Sequence, residues 1–197
     1  MALIKIIDNC CSPAYLNSIQ HVALLSAAWN MGYPMNSPIV DRFPKLDIIK
    51  NDSYGHPFLA GLVMGLLLQI YEEGGEGLFV PDIDYCGISI KDNHRPDLIH
   101  TDTSHEEENY IVKILGILNT NWKEEWGGGL HHNGTSNYIK PTSFCVFNGS
   151  EPHAAEEILT DKKRFAIDFT VYRDEQSKMK LRAAQNKEWK DYTSNNL

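Results

Sequence analysis

The sequence contains no long hydrophobic run. Its longest uncharged apolar run covers residues 58–68, which is too short to cross a bilayer as a helix. Asp8 interrupts the N-terminal region before an apolar segment of the signal type could form. We therefore expect a soluble, cytoplasmic protein with no membrane partner.

The sequence also lacks paired cysteines and an excess of positive charge. Its four cysteines include the neighbours Cys10 and Cys11, which cannot easily bridge each other, and none forms a C-x-x-C pair. No disulfide framework follows from this spacing, which favours a reducing compartment. Eighteen Lys and Arg against 26 Asp and Glu give a formal charge of −8, so we expect no nucleic-acid partner.

The remaining composition is that of one globular domain. The chain has 197 residues, of which 42% are hydrophobic and 22% charged. We predict a single domain over 1–197, with a helical N-terminal support at 1–77, a β core at 78–173 and a C-terminal helix and tail at 174–197. In the first segment, a short edge strand at 3–7 precedes a helix that begins at Ser12 and Pro13. A loop around 41–56 leads to a second, apolar helix from Pro57 to about residue 73.

The central segment alternates short runs of β-forming residues with turn residues. Eight short strands are the number found in a double-sheet jelly roll. We therefore predict a mainly β fold with flanking helices (α+β), in which a jelly-roll core packs against the N-terminal helices. The predicted strands cover residues 85–90, 98–101, 110–118, 129–132, 138–139, 143–147, 153–158 and 165–172.

His100-Thr101-Asp102 is the candidate metal-binding motif. On a strand, residues i and i+2 point to one face, so the two side chains can grip one ion. His153 follows 51 residues after Asp102 in the same β region and is the candidate third ligand. Two histidines and one carboxylate form the facial triad of non-haem Fe(II) oxygenases, which leaves positions open for co-substrate and O₂. The alternative for H-x-D alone is a solvated strand end.

Arg164 is the candidate anion-binding residue. It lies eleven residues after His153 and opens the last predicted strand. A permanently charged, fork-shaped guanidinium suits the far end of a buried dicarboxylate. The alternative is a surface arginine beside Lys162 and Lys163.

Together these motifs resemble the Fe(II)- and 2-oxoglutarate-dependent dioxygenases, specifically the prolyl 4-hydroxylase-like branch. The resemblance covers about residues 85–172. Its order is H-x-D, a strand ending in Y-L-N-x-x-W, a W-G-G-x-L turn, a strand of the type P-x-x-x-x-x-F, a distal histidine and a basic residue. Ile117 stands here in place of the tyrosine of the second piece, which removes a possible polar contact. Here these pieces are His100-Thr101-Asp102, residues 117–122, 126–130 and 141–147, His153 and Arg164.

The resemblance implies a double-stranded β-helix core in which His100, Asp102 and His153 are catalytic residues and iron ligands. It implies that Arg164 pairs with the distal carboxylate of 2-oxoglutarate. The family usually has a tyrosine about ten residues before the first ligand. The nearest one here is Tyr85, fifteen residues before His100, so Tyr85 is a candidate co-substrate contact if residues 92–95 belong to an insertion. Halogenating relatives replace the carboxylate with Gly or Ala, so Asp102 favours hydroxylation.

The implied activity is hydroxylation of an unactivated C–H bond, with release of succinate and CO₂. Fe(II), 2-oxoglutarate and O₂ would take part, with ascorbate as a candidate reductant. A prolyl residue in a peptide or protein is the first candidate substrate, and a free amino acid or another small molecule is the alternative. We expect the segments 41–56, 79–84 and 92–96 to wall the substrate site. The acidic run 106–108 is either a solvated loop or a rim that favours a basic substrate.

Two alternatives belong to other classes. One is a jelly-roll metal-binding or interaction protein without catalysis, although such a protein has no need of both the triad and Arg164. The other is a cupin-like zinc or manganese protein, whose usual multi-histidine strand motif is absent here.

Overall fold

The computed structural model describes residues 4–32, 43–50, 53–92, 97–102 and 110–184. Three helices and two short helical turns lie in this part of the chain. They are α1 (Pro13–Leu24), α2 (Pro57–Ile70), a π-type turn (Tyr71–Gly75), a 3-10 turn (Glu124–Trp126) and α3 over 175–184. The strands are β1 (Ile4–Ile7), β2 (Asn30–Gly32), β3 (Phe43–Lys50), β4 (Ser53–Tyr54), β5 (Val80–Lys91), β6 (Ile111–Ile117), β7 (Leu130–His132), β8 (Thr135–Asn137), β9 (Phe144–Phe147), β10 (His153–Ala155) and β11 (Arg164–Tyr172).

Both long helices begin where the sequence predicts. The Ser12 hydroxyl accepts a hydrogen bond from the Tyr15 amide at 3.2 Å, and Pro13 takes the first position of α1. At α2, the His56 ring nitrogen Nδ1 accepts from the Leu59 amide at 3.2 Å, again with a proline next in the chain. In the described part of the chain, no helix combines the length and the apolar character needed to cross a bilayer.

The strands form two antiparallel sheets. The large sheet has the order β1-β9-β6-β11-β5-β3-β2, with β4 paired to β3, and the small sheet has the order β10-β7-β8. β11 therefore lies at the centre of the large sheet, between β5 and β6. This arrangement confirms the predicted mainly β fold with a jelly-roll core and flanking helices.

The alternation of β11 divides the interior into an apolar core and a polar cavity. Ile167, Phe169 and Val171 point to the face covered by α1 and α2, where they join the largest apolar cluster. The intervening residues Arg164, Ala166, Asp168 and Thr170 line a cavity between the two sheets. Because side chains alternate along a strand, one strand builds both the core and the wall of the cavity.

The structure corrects several predicted elements. Residues 43–50 form β3, although the sequence predicted a loop there, and β5 begins at Val80, so 79–84 is mostly strand. The predicted strand at 98–101 is a single bridge at His100, the one at 138–139 lies instead at Thr135–Asn137, and the one at 153–158 ends at Ala155. The three-part division of the chain stays a prediction. The predicted edge strand at 3–7 is β1, and β2 to β4 are additions to the N-terminal segment.

Candidate metal centre

His100 and His153 are direct backbone partners. Each amide donates to the carbonyl oxygen of the other residue at 2.9 Å, so the two residues form a closed antiparallel pair beside β10. Residues directly opposite in such a pair project their side chains to the same side. The imidazole centroids are 4.6 Å apart. A residue separation of more than fifty is thus closed by one pair of hydrogen bonds.

The outer nitrogens of both rings are held by backbone carbonyls. His100 Nδ1 lies 2.8 Å from the Leu98 oxygen, and His153 Nδ1 lies 2.8 Å from the Glu151 oxygen. A carbonyl oxygen only accepts, so each Nδ1 carries the proton and donates it. Each Nε2 is left to face inward toward Asp102, where it can turn to a metal ion, and this is the arrangement typical of metal-ligating histidines.

Asp102 completes the group from the other side. Its amide donates to the Gly149 oxygen at 2.8 Å. Its Oδ1 lies 3.5 Å from His100 Nε2, and its Oδ2 lies 3.4 Å from His153 Nε2. Burial raises the pKa of Asp102, but its hydrogen bonds with His100 and His153 lower the pKa more. The carboxyl group therefore stays ionised at pH values well below its usual pKa.

His100, Asp102 and His153 offer three ligand atoms within 4.8 Å of one another. They are the one such group of three or more that the described residues contain. Two imidazoles and a carboxylate on one side of a cavity can hold a divalent transition metal and leave its other positions open. The three residues predicted from the sequence are therefore brought together.

The neighbouring histidines do not join this group. His132 is buried opposite His153, but its Nε2 faces Glu151 Oε2 at 3.1 Å without hydrogen-bond alignment. Burial lowers the pKa of His132. The adjacent His131 points to the other face of β7. The acidic run 106–108 and the predicted wall at 92–96 lie outside the described residues, apart from Asp92.

Lys113 on β6 is a neighbour of the group that the sequence analysis missed. Its ammonium lies 2.9 Å from Asp168 Oδ2, 3.0 Å from Thr170 Oγ1 and 3.3 Å from Asp102 Oδ2. Burial lowers its pKa, but Asp168 and Asp102 raise it more, so the amine stays charged. Isolated lysines in a predicted strand suggest a solvent-facing side, and only the second sheet turns that side into an interior wall.

Arg164 closes the far end of the cavity. It is 2% exposed, and its Nη1 donates to the Gly128 carbonyl oxygen. Gly128 has φ +72, and a Cβ there would lie 3.1 Å from Arg164 Cδ, so the bare backbone lets the guanidinium approach. The buried Nε has no hydrogen-bond partner among the described residues. A buried guanidinium with an open donor at the end of a cavity suits an anionic ligand.

Lys91 is a second buried cation at the Arg164 end. It is the register partner of Arg164 across β5 and β11, and its ammonium forms an ion pair with Asp97. Burial lowers its pKa more than Asp97 raises it. The cavity between the two sheets has a volume of about 460 Å³. It runs from these cations past His100, Asp102 and His153, the candidate metal-binding group.

Tyr85 lines the other end of the same cavity. It is six residues from Lys91 along β5, about 20 Å of extended chain. Its hydroxyl donates to Asp47 Oδ1 on β3 at 2.9 Å. The ring lies across Gly87, where a Cβ would stand 2.0 Å from the hydroxyl. The structure thus places Tyr85 in the cavity but does not bring it to Arg164.

Comparison with known proteins shows which solved structures share the fold of this chain. The sequence matches no family model, and no curated protein is similar to it at a significant level. Solved structures do match. A prolyl-4-hydroxylase from Pseudomonas putida is 15% identical, with a TM-score of 0.59 over 88% of this chain and 94% of that chain.

Two further structures are similar over most of their length. A prolyl hydroxylase from Trichoplax adhaerens, in complex with a peptide fragment of a hypoxia inducible factor oxygen degradation domain, is 19% identical, with a TM-score of 0.59 over 88% of this chain and 84% of that one. HygX from Streptomyces hygroscopicus, with nickel and 2-oxoglutarate bound, is 10% identical, with a TM-score of 0.63 over 87% and 83%. The chain therefore has the fold of these oxygenases, including that of the prolyl hydroxylases.

Proposed function

We propose that this protein is an Fe(II)- and 2-oxoglutarate-dependent oxygenase that hydroxylates an unactivated C–H bond. One observation carries the proposal. A His-Asp-His group lines the same cavity that a buried arginine with an orphaned Nε closes at one end. The first suits a divalent metal and the second suits a carboxylate, and an α-keto diacid is a ligand that needs both.

The residues present fit an iron ion. His100 and His153 would bind it through Nε2 and Asp102 through its carboxylate, because both Nδ1 atoms are already committed to carbonyl oxygens. Imidazole nitrogens and one carboxylate oxygen are the donors found in non-haem Fe(II) sites. When bound, Fe(II) and 2-oxoglutarate supply the oxidising chemistry, in which decarboxylation to succinate and CO₂ is coupled to insertion of one oxygen atom from O₂. Ascorbate is the candidate reductant.

The chain would orient the co-substrate from its far end. Arg164 would receive the distal carboxylate, and its Nε, which now lacks a partner, would gain one. Lys91 adds positive charge at the same end, although Asp97 already pairs with it. The role of Tyr85 as a co-substrate contact stays a proposal, and its position beside Asp47 also suits a contact with the substrate.

Apolar side chains would limit the access of water to the chemistry. Leu115, Leu130 and Phe147 line the cavity, and the Phe147 ring lies 5.0 Å from the His153 ring. A dry wall strengthens the charge interactions within the site and protects a reactive oxidant from side reactions.

Four free cysteines also fit a cytoplasmic location.

The first candidate substrate is a prolyl residue in a peptide or protein. The likeness to prolyl hydroxylases, one of them bound to a peptide, supports this choice. A free amino acid or another small molecule is the second candidate, because the polar side chains Tyr85, Asp168 and Thr170 line the cavity beyond the metal-binding group. Turnover with proline-containing peptides and with free amino acids would separate the two.

Anaerobic reconstitution tests the proposal. Fe(II) and 2-oxoglutarate added together should give the weak visible charge-transfer band expected of the chelated pair. His153→Ala should abolish the band, whereas His131→Ala, which changes a histidine outside the group, should retain it. A folded, iron-loaded protein that gives no band, and that releases no succinate once O₂ is admitted, would favour the non-catalytic metal-binding alternative.

A further inference from the structure

Lys113 connects the metal-binding group to the centre of the large sheet. An ammonium has three N–H donors, and three acceptors surround this one: Asp168 Oδ2, Thr170 Oγ1 and Asp102 Oδ2. Asp168 and Thr170 both lie on β11, whose two neighbours in the sheet hold it rigidly. Lys113 therefore links the Asp102 carboxylate to the best-supported strand of the fold.

Asp102 has little other support for its side chain. Its backbone amide is fixed by Gly149, but among the described residues its carboxylate contacts only His100, His153 and Lys113. The two histidines are themselves candidate ligands and would turn their Nε2 atoms to the metal. Lys113 is thus the contact that remains available to orient the carboxylate when a metal is present.

The turn after β9 leaves room for this arrangement. A Cβ added at Gly149 would lie 2.7 Å from Lys113 Cγ and 3.4 Å from Asp102 Cβ. The glycine therefore lets the lysine stem and the aspartate occupy neighbouring positions beside the turn. An alanine there would push the stem aside without changing any charge.

We propose that Lys113 is a positioning residue of the metal centre, which holds one carboxylate oxygen of Asp102 and presents the other to the metal. This inference rests on the proposed function. Charge alone predicts the opposite effect, because an ammonium beside a divalent cation repels it. The two accounts differ in sign, so one substitution can separate them.

Lys113→Met removes the ammonium and keeps a stem of similar length. If Lys113 positions Asp102, the variant should bind metal about 10- to 100-fold more weakly. A loss of this size is usual when a residue that orients a metal ligand by hydrogen bonding is removed. The measurement is a titration of the metal-free protein with Co(II), followed by its visible absorption, which also reports a change in coordination. Unchanged or tighter binding by a folded variant would overturn the proposal.

Thr170→Val is the second variant and changes no charge. It removes one of the three acceptors of the ammonium, so Co(II) binding should weaken by several-fold, and equal binding contradicts the proposal. Thr135→Val, an exposed threonine on β8, is the matched control and should bind as the parent protein does. If Lys113→Met does not fold, as judged by circular dichroism, the comparison of the two threonine variants decides the question.

The failure of this inference is distinguishable from the failure of the proposed function. A parent protein that binds neither Co(II) nor Fe(II) contradicts the proposed function. A parent protein that binds and turns over, with variants that bind equally well, contradicts only the role of Lys113. If the parent protein is active, Lys113→Met should raise the Fe(II) concentration that gives half-maximal turnover. The corresponding 2-oxoglutarate concentration should change by no more than about twofold, because Arg164 is untouched.

Discussion

Replacing Arg164 with methionine should weaken the binding of 2-oxoglutarate strongly and leave metal binding unchanged. Arg164 is 2% exposed, and the cavity that it closes is lined by protein on both sheets. Methionine fills much of the same volume but leaves the distal carboxylate without its fork of donors. That carboxylate would then be buried beside neutral side chains and Lys91, which Asp97 already holds.

The expected magnitude follows from this environment. Truncating one partner of a buried, hydrogen-bonded charge pair costs about 2–5 kcal/mol. Lys91, the register partner of Arg164, retains part of the positive field, so we expect a loss in the lower half of that range, about 3 kcal/mol. Since 1.4 kcal/mol is a factor of ten, the dissociation constant of 2-oxoglutarate should rise about 100-fold.

The assay is calorimetric titration of the metal-loaded protein with 2-oxoglutarate, together with succinate release as a function of its concentration. Lys163→Met is the matched control, because it removes an adjacent but exposed cation and should change neither result by more than about twofold. Equal affinity in Arg164→Met and the parent protein would refute the reasoning and place the anchor elsewhere.

Three further predictions test the site and its support. Asp102→Ala should lose metal binding and turnover but keep the parent circular dichroism spectrum, and full turnover in this variant would refute the triad. Gly116→Ala should lower the free energy of unfolding, measured in urea, by about 1–3 kcal/mol, because the new Cβ would lie 2.2 Å from Phe144 Cε1. Gly61→Ala, in open space on α2, should raise the free energy of unfolding by about 0.5–1 kcal/mol. The opposite order of stabilities would contradict the packing. Burial raises the pKa of all four cysteines: to about 12 for Cys10 and Cys145, to about 11 for Cys11, and well above its usual value for Cys86. Thiol alkylation at neutral pH should therefore be slow until the protein unfolds. Fast labelling of the folded protein would contradict this for the thiols concerned.

The sequence predicted that His100, Asp102 and His153 come together but not how they meet. The order of H-x-D, His153 and Arg164 carries the chemistry, since few residue sets hold both a divalent metal and a carboxylate. The direct pairing of His100 with His153 is a matter of register between distant segments. Register depends on the whole sheet and is not encoded in a local pattern.

The strand β3 was missed because its local signals conflict. Pro44 and three charged residues suggest a loop, whereas Leu46 and Ile48 alternate into the apolar core. Its register with β5 shifts between Asp47 and Ile49, so the regular alternation is broken. Lys91 and Lys113 were overlooked for a related reason. A charged residue in a strand looks solvent-facing until the opposite sheet is known.

The central place of β11 has a consequence for how the protein is made. In the described sheet, β1, β9 and β6 form one half and β5, β3 and β2 the other, and only β11 joins them. β11 is synthesised after every other strand of this sheet. Until then, the edges of β6 and β5 that pair with β11 have no partner strand. We therefore expect the sheet to close only after β11 has been synthesised, and to close slowly because these pairings are non-local. Because the same strand carries Arg164, Asp168 and Thr170, the cavity takes shape in the step that closes the sheet.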